Sequence, residues 1–245
     1  MMRMIGAFGR NDLRTVRRDS LLAGVLLGPF LYAAFLWFLP AATTVAERQW
    51  AFDLIPYRSL IISAFCVMGP PLLLCAVMAL QLLDERDQRT MSALRVTPVP
   101  PGLYPAYRAA ITGTVTTLMI IASLAVSRTL TAQELVRSIP VAISAGLLAP
   151  IMGFLMASLA RNKVEGLAVM RVLGLTVFTI PFVPFFFLHE PWQLAFGILP
   201  PYWPMRAFWA LMDGGAYWPY LLAGLLYNTV LCLTLLKALN RRLTR

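Results

Sequence analysis

Six long apolar stretches divide the chain, at roughly 20–39, 59–83, 109–127, 138–160, 172–188 and 218–236, and none carries a charged side chain in its interior. Counting the helical entry and exit turns, the fifth reads as 167–188 and the sixth as 218–238. About twenty apolar residues in an α-helix cross the hydrocarbon core of a bilayer. The pattern predicts an all-α, polytopic membrane protein, with a six-span domain over 20–238, a segment 1–19 before it and a tail at 239–245. The missing charges are informative, because ion-coupled carriers usually keep an ionisable group at membrane depth.

The segments between spans have their own patterns. At 100° per residue, Met1, Met2, Ile5, Phe8, Leu13 and Val16 lie within an arc of about 140°, opposite Arg10, Arg14, Arg17 and Arg18. Residues 1–19 therefore read as an amphipathic interfacial helix, although Asp12 and Asp19 fall on the apolar arc. The gap 40–58 holds Pro40, Pro56 and mixed polar residues. Gly69-Pro70-Pro71, within the second span, remove two backbone donors and predict a kink or break, either a packing kink or the lining of a route. After that span, Asp84-Glu85-Arg86-Asp87 opens a charged stretch that stays helix-compatible until Pro98, Pro100, Pro101 and Gly102 stop it. The coupling segment 84–104 is expected to include a short polar helix across the mouth of the bundle. Asn162 and Glu165 have capping-box spacing at the entry of the fifth span. The gap 189–217 is rich in Pro, Trp and Tyr, which favour a membrane–water boundary, and Leu194 to Ile198 is expected to dip back as a re-entrant turn.

Composition and charge sharpen the picture. The chain has 245 residues, is 59% hydrophobic and carries a net charge of +10. Nucleic acid is not the implied partner, because all of that excess lies on one side. The termini and alternate gaps hold sixteen basic residues against six acidic ones, and the other side holds five against five. The positive-inside rule then places both termini in the cytoplasm, facing anionic lipid. Cys66, Cys75 and Cys232 lie within spans, so no disulfide framework is expected. No cleavable leader is expected, since the first span is long enough to remain an anchor.

The residues of catalysis are not assembled. His189 is the single histidine, and with Glu190 alone it falls short of a metal site. No serine–histidine pair, aspartate cluster or glycine-rich phosphate loop occurs, so the chain is not expected to be an enzyme or to hydrolyse ATP. A membrane enzyme and a secondary transporter both lack the polar groups they need. A non-transport anchor or assembly subunit is the alternative reading.

Three features then resemble the permease subunits of ABC exporters, in the type-two class that handles drugs, polysaccharides and lipids. They are Phe8-Gly9-Arg10-Asn11-Asp12 before the first span, Glu85-Arg86 through Thr90 and Leu94 to Val96-Thr97-Pro98 after the second, and Asn162-Lys163-Val164-Glu165-Gly166-Leu167-Ala168 at the fifth, followed by Leu199-Pro200-Pro201-Tyr202-Trp203-Pro204. The Asn-Lys-Val-Glu-Gly run is most similar to bacterial fluoroquinolone or antibiotic export permeases. Arg89 stands where members often have glycine. The resemblance implies two permeases side by side, identical or different, each docked on a cytosolic ABC ATPase subunit in a bacterial plasma membrane. ATP and Mg would be bound by that partner, and this chain would hold no cofactor. Glu85, Arg86, Arg89, Thr90, Leu94, Thr97 and Pro98 would couple to the ATPase, and Asn162, Lys163, Glu165 and Gly166 would form a second contact. Pro200, Pro201, Tyr202, Trp203 and Pro204 would close the route from outside in a re-entrant segment. With no charge in the spans, the expected cargo is an amphipathic or lipid-soluble drug, lipid or natural product.

Overall fold

A computed structural model describes residues 20–87, 103–160 and 162–244, and every described element is helical. Six helices are long and apolar enough to cross a membrane: Gly24–Trp50, Ile55–Glu85, Leu103–Ser127, Ala132–Leu159, Val164–Phe187 and Trp218–Arg241. They follow the six apolar stretches in order, and the chain is a multi-pass membrane protein. The interfacial helix expected over 1–19, and residues 88–102 of the coupling segment, lie outside the described residues.

Two elements differ from the expectation at prolines. The first span was expected to end near 39, yet helix continues from Leu39 to Trp50 after a single 3₁₀ turn, Leu36–Phe38. Pro40 sits in the first turn of that continuation, where its missing N–H has no partner to lose. The Thr43 and Thr44 hydroxyls donate to Pro40 O and Ala41 O at 2.7 and 2.8 Å, keeping polar groups satisfied. The helix stops at Ala51, whose φ of 50° is left-handed.

In the second span, a π-helical turn over Ser63–Val67 precedes a bend at Met68, and α-helix resumes at Gly69. Pro70 and Pro71 thus occupy a fresh first turn, and the first following bond runs from Leu72 N to Met68 O at 3.2 Å. Pro70 leaves the carbonyl four residues back, that of Cys66, without its usual helical donor. Ser123 Oγ of the third span donates to it at 3.2 Å, so a neighbouring helix satisfies the broken ladder. The predicted break exists, and a neighbour supports it.

The second and fourth spans form the centre. Of the eighteen most apolar residues in each span, 72% are buried for the fourth and 56% for the second, against 17–22% for the other four. The Gly69–Asp87 helix lies along Leu148–Leu159, and the third span packs on the fourth. Leu31, Leu118, Leu175 and Leu226 on the peripheral spans are outward-facing and 60–73% exposed. Such a surface suits lipid as solvent.

Close approach of the third and fourth spans depends on Gly146. A Cβ there would stand 2.0 Å from Thr117 Oγ1 and 2.9 Å from Gly113 O. Small residues at such crossings let helix backbones approach. Gly146→Val should therefore lower the thermal unfolding midpoint in detergent micelles, with an overpacking cost of about 1–3 kcal/mol. Gly113→Ala should do less, because its added Cβ would meet only Gly146 O at 3.6 Å and Pro150 Cγ at 3.8 Å. Equal loss in the two variants contradicts this account.

Candidate functional site

Six crossings put the two chain ends on one side of the bundle. At that side, the last turns of the second span and the first turns of the third meet in a polar clasp. Gln81 and Glu85 share one face by their four-residue spacing, as do Tyr104 and Arg108. Arg108 Nη2 lies 2.5 Å from Glu85 Oε1, and the Tyr104 hydroxyl donates to the same oxygen. Arg108 Nε donates to the Tyr104 hydroxyl at 2.8 Å and Nη1 to Gln81 Oε1 at 3.2 Å. Arg108 also lies 5.3 Å from the Tyr104 ring centroid. The Arg108 and Glu85 side chains are only 11% and 15% exposed, so the pair is shielded from bulk water. Glu85 Oε2 is buried without a hydrogen-bond partner among the described residues.

This clasp ties together the two helix ends that flank 88–102. Of the expected coupling residues, Glu85 is engaged inside the permease itself. Arg86 lies in the same helix, but its side chain is outside the described set, as are Arg89, Thr90, Leu94, Thr97 and Pro98. The fifth span begins beside this corner. Asn162 Oδ1 accepts from Glu165 N at 2.9 Å, the N-cap that the spacing predicted. Gly166 is buried and turned toward the second span, where a Cβ would meet Leu83 Cδ1 at 2.6 Å. The structure therefore brings Asn162, Glu165 and Gly166 to the same corner as Glu85; the Lys163 side chain is outside the described set.

At the opposite end, residues 188–217 fold onto the bundle rather than lying loosely over it. A 3₁₀ stretch, Pro191–Ile198, precedes the helix Tyr202–Met212, in which Tyr202, Met205, Ala207, Phe208 and Trp209 are fully buried. Leu194 and Ile198, where the re-entrant turn was expected, are 54% and 76% exposed. Pro200 and Pro201 form the turn between these helices, and Pro204 is buried. Three backbone oxygens around that turn are met by side chains. Trp203 Nε1 donates to Gly197 O at 2.8 Å, the Tyr227 hydroxyl to Ile198 O at 2.7 Å, and Asn228 Nδ2 reaches Pro200 O at 3.5 Å. Gly224 makes room for Trp203, since a Cβ there would come 2.5 Å from Trp203 Cβ.

Gln193 is the hub below the turn. It donates from Nε2 to Leu188 O at 2.8 Å and accepts from Arg206 Nε at 2.9 Å, with the Tyr202 hydroxyl 3.5 Å away. Arg206 stands 4.3 Å over the Tyr220 ring. Burial pushes the Tyr202 phenol up to about 12, with Arg206 opposing, so Tyr202 remains a neutral donor. Trp209 reaches deepest, donating from Nε1 to Ser63 Oγ at 2.9 Å, in the π turn of the second span. Its ring packs edge-on against Phe185 at 5.1 Å.

Arg108, Tyr104, Gln193, Arg206 and Trp209 were not singled out as site residues from the sequence. Arg108 was counted only as a flanking charge, though its spacing from Tyr104 marks a shared helix face. Trp209 carries no local signal that separates it from the interfacial aromatics nearby. His189 is exposed, and among the described residues no three His, Cys, Asp or Glu side chains group as metal ligands.

Comparison with known proteins identifies the family. Residues 12–236 match the family model described as fluoroquinolones export permease protein Rv2686c-like. The chain is 40% identical over 227 residues to a fluoroquinolones export permease protein of Mycobacterium tuberculosis strain H37Rv, covering 92% of this chain and 90% of that one. The counterpart in strain CDC 1551 / Oshkosh matches with the same identity and coverage. No solved structure matches. The match spans all six membrane helices and both polar ends, and the chain belongs to the Rv2686c-like fluoroquinolones export permease family.

Proposed function

We propose that this chain is the membrane-spanning subunit of an ATP-driven ABC exporter, moving an amphipathic, drug-like substrate of the fluoroquinolone kind out across a bacterial plasma membrane. The observation that carries the reading is the family match over 12–236, which takes in the whole six-span bundle. The absence of charged residues from the middle of the spans supports it, since ion-coupled carriers usually keep an ionisable group there; the buried Glu85 lies at the end of the second span and is paired with Arg108. The driving force then comes from cytosolic ATPase subunits that bind ATP and Mg, and two permeases pair to form the route. Both termini face the cytoplasm, as the one-sided excess of basic residues supports.

In this reading 84–104 is the lever against the ATPase. Arg86, Arg89, Thr90, Leu94, Thr97 and Pro98 belong to its docking surface. Glu85 holds the lever's root to the third span through Arg108, so that movement of the segment shifts both spans as one packed unit. Asn162, Lys163, Glu165 and Gly166 add a second contact at the same corner. Pro200 to Pro204 and the Tyr202–Met212 helix form a re-entrant outer gate, held shut by Trp209 on Ser63.

Charge reversal tests the docking role. Arg86→Glu should weaken co-purification of the co-expressed ATPase while leaving the permease's unfolding midpoint unchanged. Glu85→Arg combined with Arg86→Glu should lower both. Unchanged co-purification of the double variant removes the docking assignment. Reduced drug accumulation in cells co-expressing both subunits, and not in cells with a hydrolysis-dead ATPase, is the expected transport result.

A further inference from the structure

At the end of the bundle opposite the chain termini, a cavity of about 550 Å³ opens between the first, second and third spans. Its wall combines apolar and cationic groups: Leu39 and Trp37 from the first span, Arg58 from the start of the second, and Ser127, Arg128 and Thr129 where the third ends. That volume suits a drug-sized ligand or the upper part of a lipid.

The wall is organised around Arg128. The residue follows directly on the third span and takes a φ of 53°, the left-handed conformation in which glycine or asparagine would be the less strained choice. An arginine at this position has no backbone reason to be there. Its guanidinium stands 5.4 Å over the Trp37 ring. The ring is fixed in turn, since Trp37 Nε1 donates to Val126 O at 2.7 Å. Among the described residues Arg128 makes no ion pair. Arg58 differs: its Nη2 donates to Thr129 O, and Glu134 lies within its electrostatic reach. Ser127 Oγ and Thr129 Oγ1 are 2.8 Å apart at the same rim. Among the described residues the cavity thus offers Arg128, a cation without an ion-pair partner, seated on an aromatic face, beside hydroxyl groups and above an apolar wall.

We propose that this cavity binds the head group of an anionic amphiphile, with Arg128 meeting its carboxylate or phosphate and the first-span wall taking its apolar body. A charge-assisted hydrogen bond to a guanidinium is shorter and stronger than a neutral one. The site does not depend on the ATPase, so its failure and the failure of ATP coupling are separable.

The test uses the full chain in zwitterionic lipid nanodiscs, reading Trp37 fluorescence as the difference between wild type and Trp37→Phe. One arm titrates a carboxylate-bearing quinolone and its methyl ester; a second dopes the discs with phosphatidylglycerol. The acid, the anionic lipid, or both should perturb Trp37, and the ester should bind about tenfold more weakly than the acid. Arg128→Gln should lose about tenfold in affinity for the acidic ligand, and Arg128→Lys should fall between that variant and wild type, because it keeps the charge but not the planar, ring-stacked fork. Elution of both variants as monodisperse particles with wild-type helical content separates lost binding from lost fold. A response to the quinolone identifies cargo and a response to the lipid identifies an annular site, and either one supports the proposal. No response in either arm overturns it, as does an ester that binds as well as a binding acid, or undiminished binding of the responding ligand by Arg128→Gln.

Discussion

Replacing Arg108 with methionine should lower the stability of the permease by about 2–3 kcal/mol, somewhat below the range for breaking a fully buried ion pair, because both partners keep some exposure. The loss follows from what remains. The Glu85 carboxylate would stay behind with only the Tyr104 hydroxyl on Oε1, and its Oε2 already lacks a partner. Removing the stranded charge as well should relieve much of the penalty, so Arg108→Met with Glu85→Met should be more stable than Arg108→Met alone. Thermal unfolding of the four proteins of this cycle in micelles measures the coupling directly. Strict additivity would show that the clasp is only a surface contact. In the complex, the same Arg108→Met variant should bind the ATPase yet lose drug stimulation of ATP hydrolysis, because the lever would be attached at one end only.

The second large effect is expected at Trp209. Trp209→Ala should cost about 3–5 kcal/mol, the usual range for emptying a buried aromatic site. The residue is fully buried, bonds to Ser63 in the π turn and packs on Phe185. Trp209→Phe keeps most of the packing and loses the hydrogen bond, so a cost near 1 kcal/mol is expected. The two variants separate filling from fastening. In proteoliposomes, Trp209→Ala should also raise passive leakage of a small dye if the helix it anchors is the outer gate proposed above. Unfolding midpoints and leak rates equal to wild type would deny Trp209 both roles.

What was legible in the sequence followed the physics of each signal. Six apolar runs are read directly from composition, because lipid as solvent leaves long uncharged stretches. The Asn162 cap was legible because a cap is a contact over three residues. Thr131 and Glu134 have the same spacing and form a complete capping box, which starts the fourth helix at Ala132 rather than near 138. That offset came from weighting apolar content over caps, since Glu134 and Arg137 mask the helix start.

Pro40 and Pro70-Pro71 were ambiguous for another reason. A proline breaks a helix or begins one depending on where the preceding turn stops, and that is decided by Thr43 and Thr44 in one case and Ser123 in the other. The Glu85–Arg108 clasp joins residues 23 positions apart in the sequence. Burial of Trp209 depends on Ser63, 146 residues away. Tertiary pairings of this kind have no local periodicity to announce them. The aromatic content of 189–217 pointed to boundary chemistry, but composition alone does not distinguish a tryptophan at the surface from one driven into the bundle.

The central claim is that an uncharged bundle depends on an ATP-hydrolysing partner for its driving force. Its most direct test is drug transport in proteoliposomes, comparing this chain alone with the chain plus a co-expressed ABC ATPase subunit, each with ATP and with proton or sodium gradients. Transport is expected only with both subunits and hydrolysable ATP. Accumulation driven by an ion gradient across vesicles holding this chain alone would contradict the account.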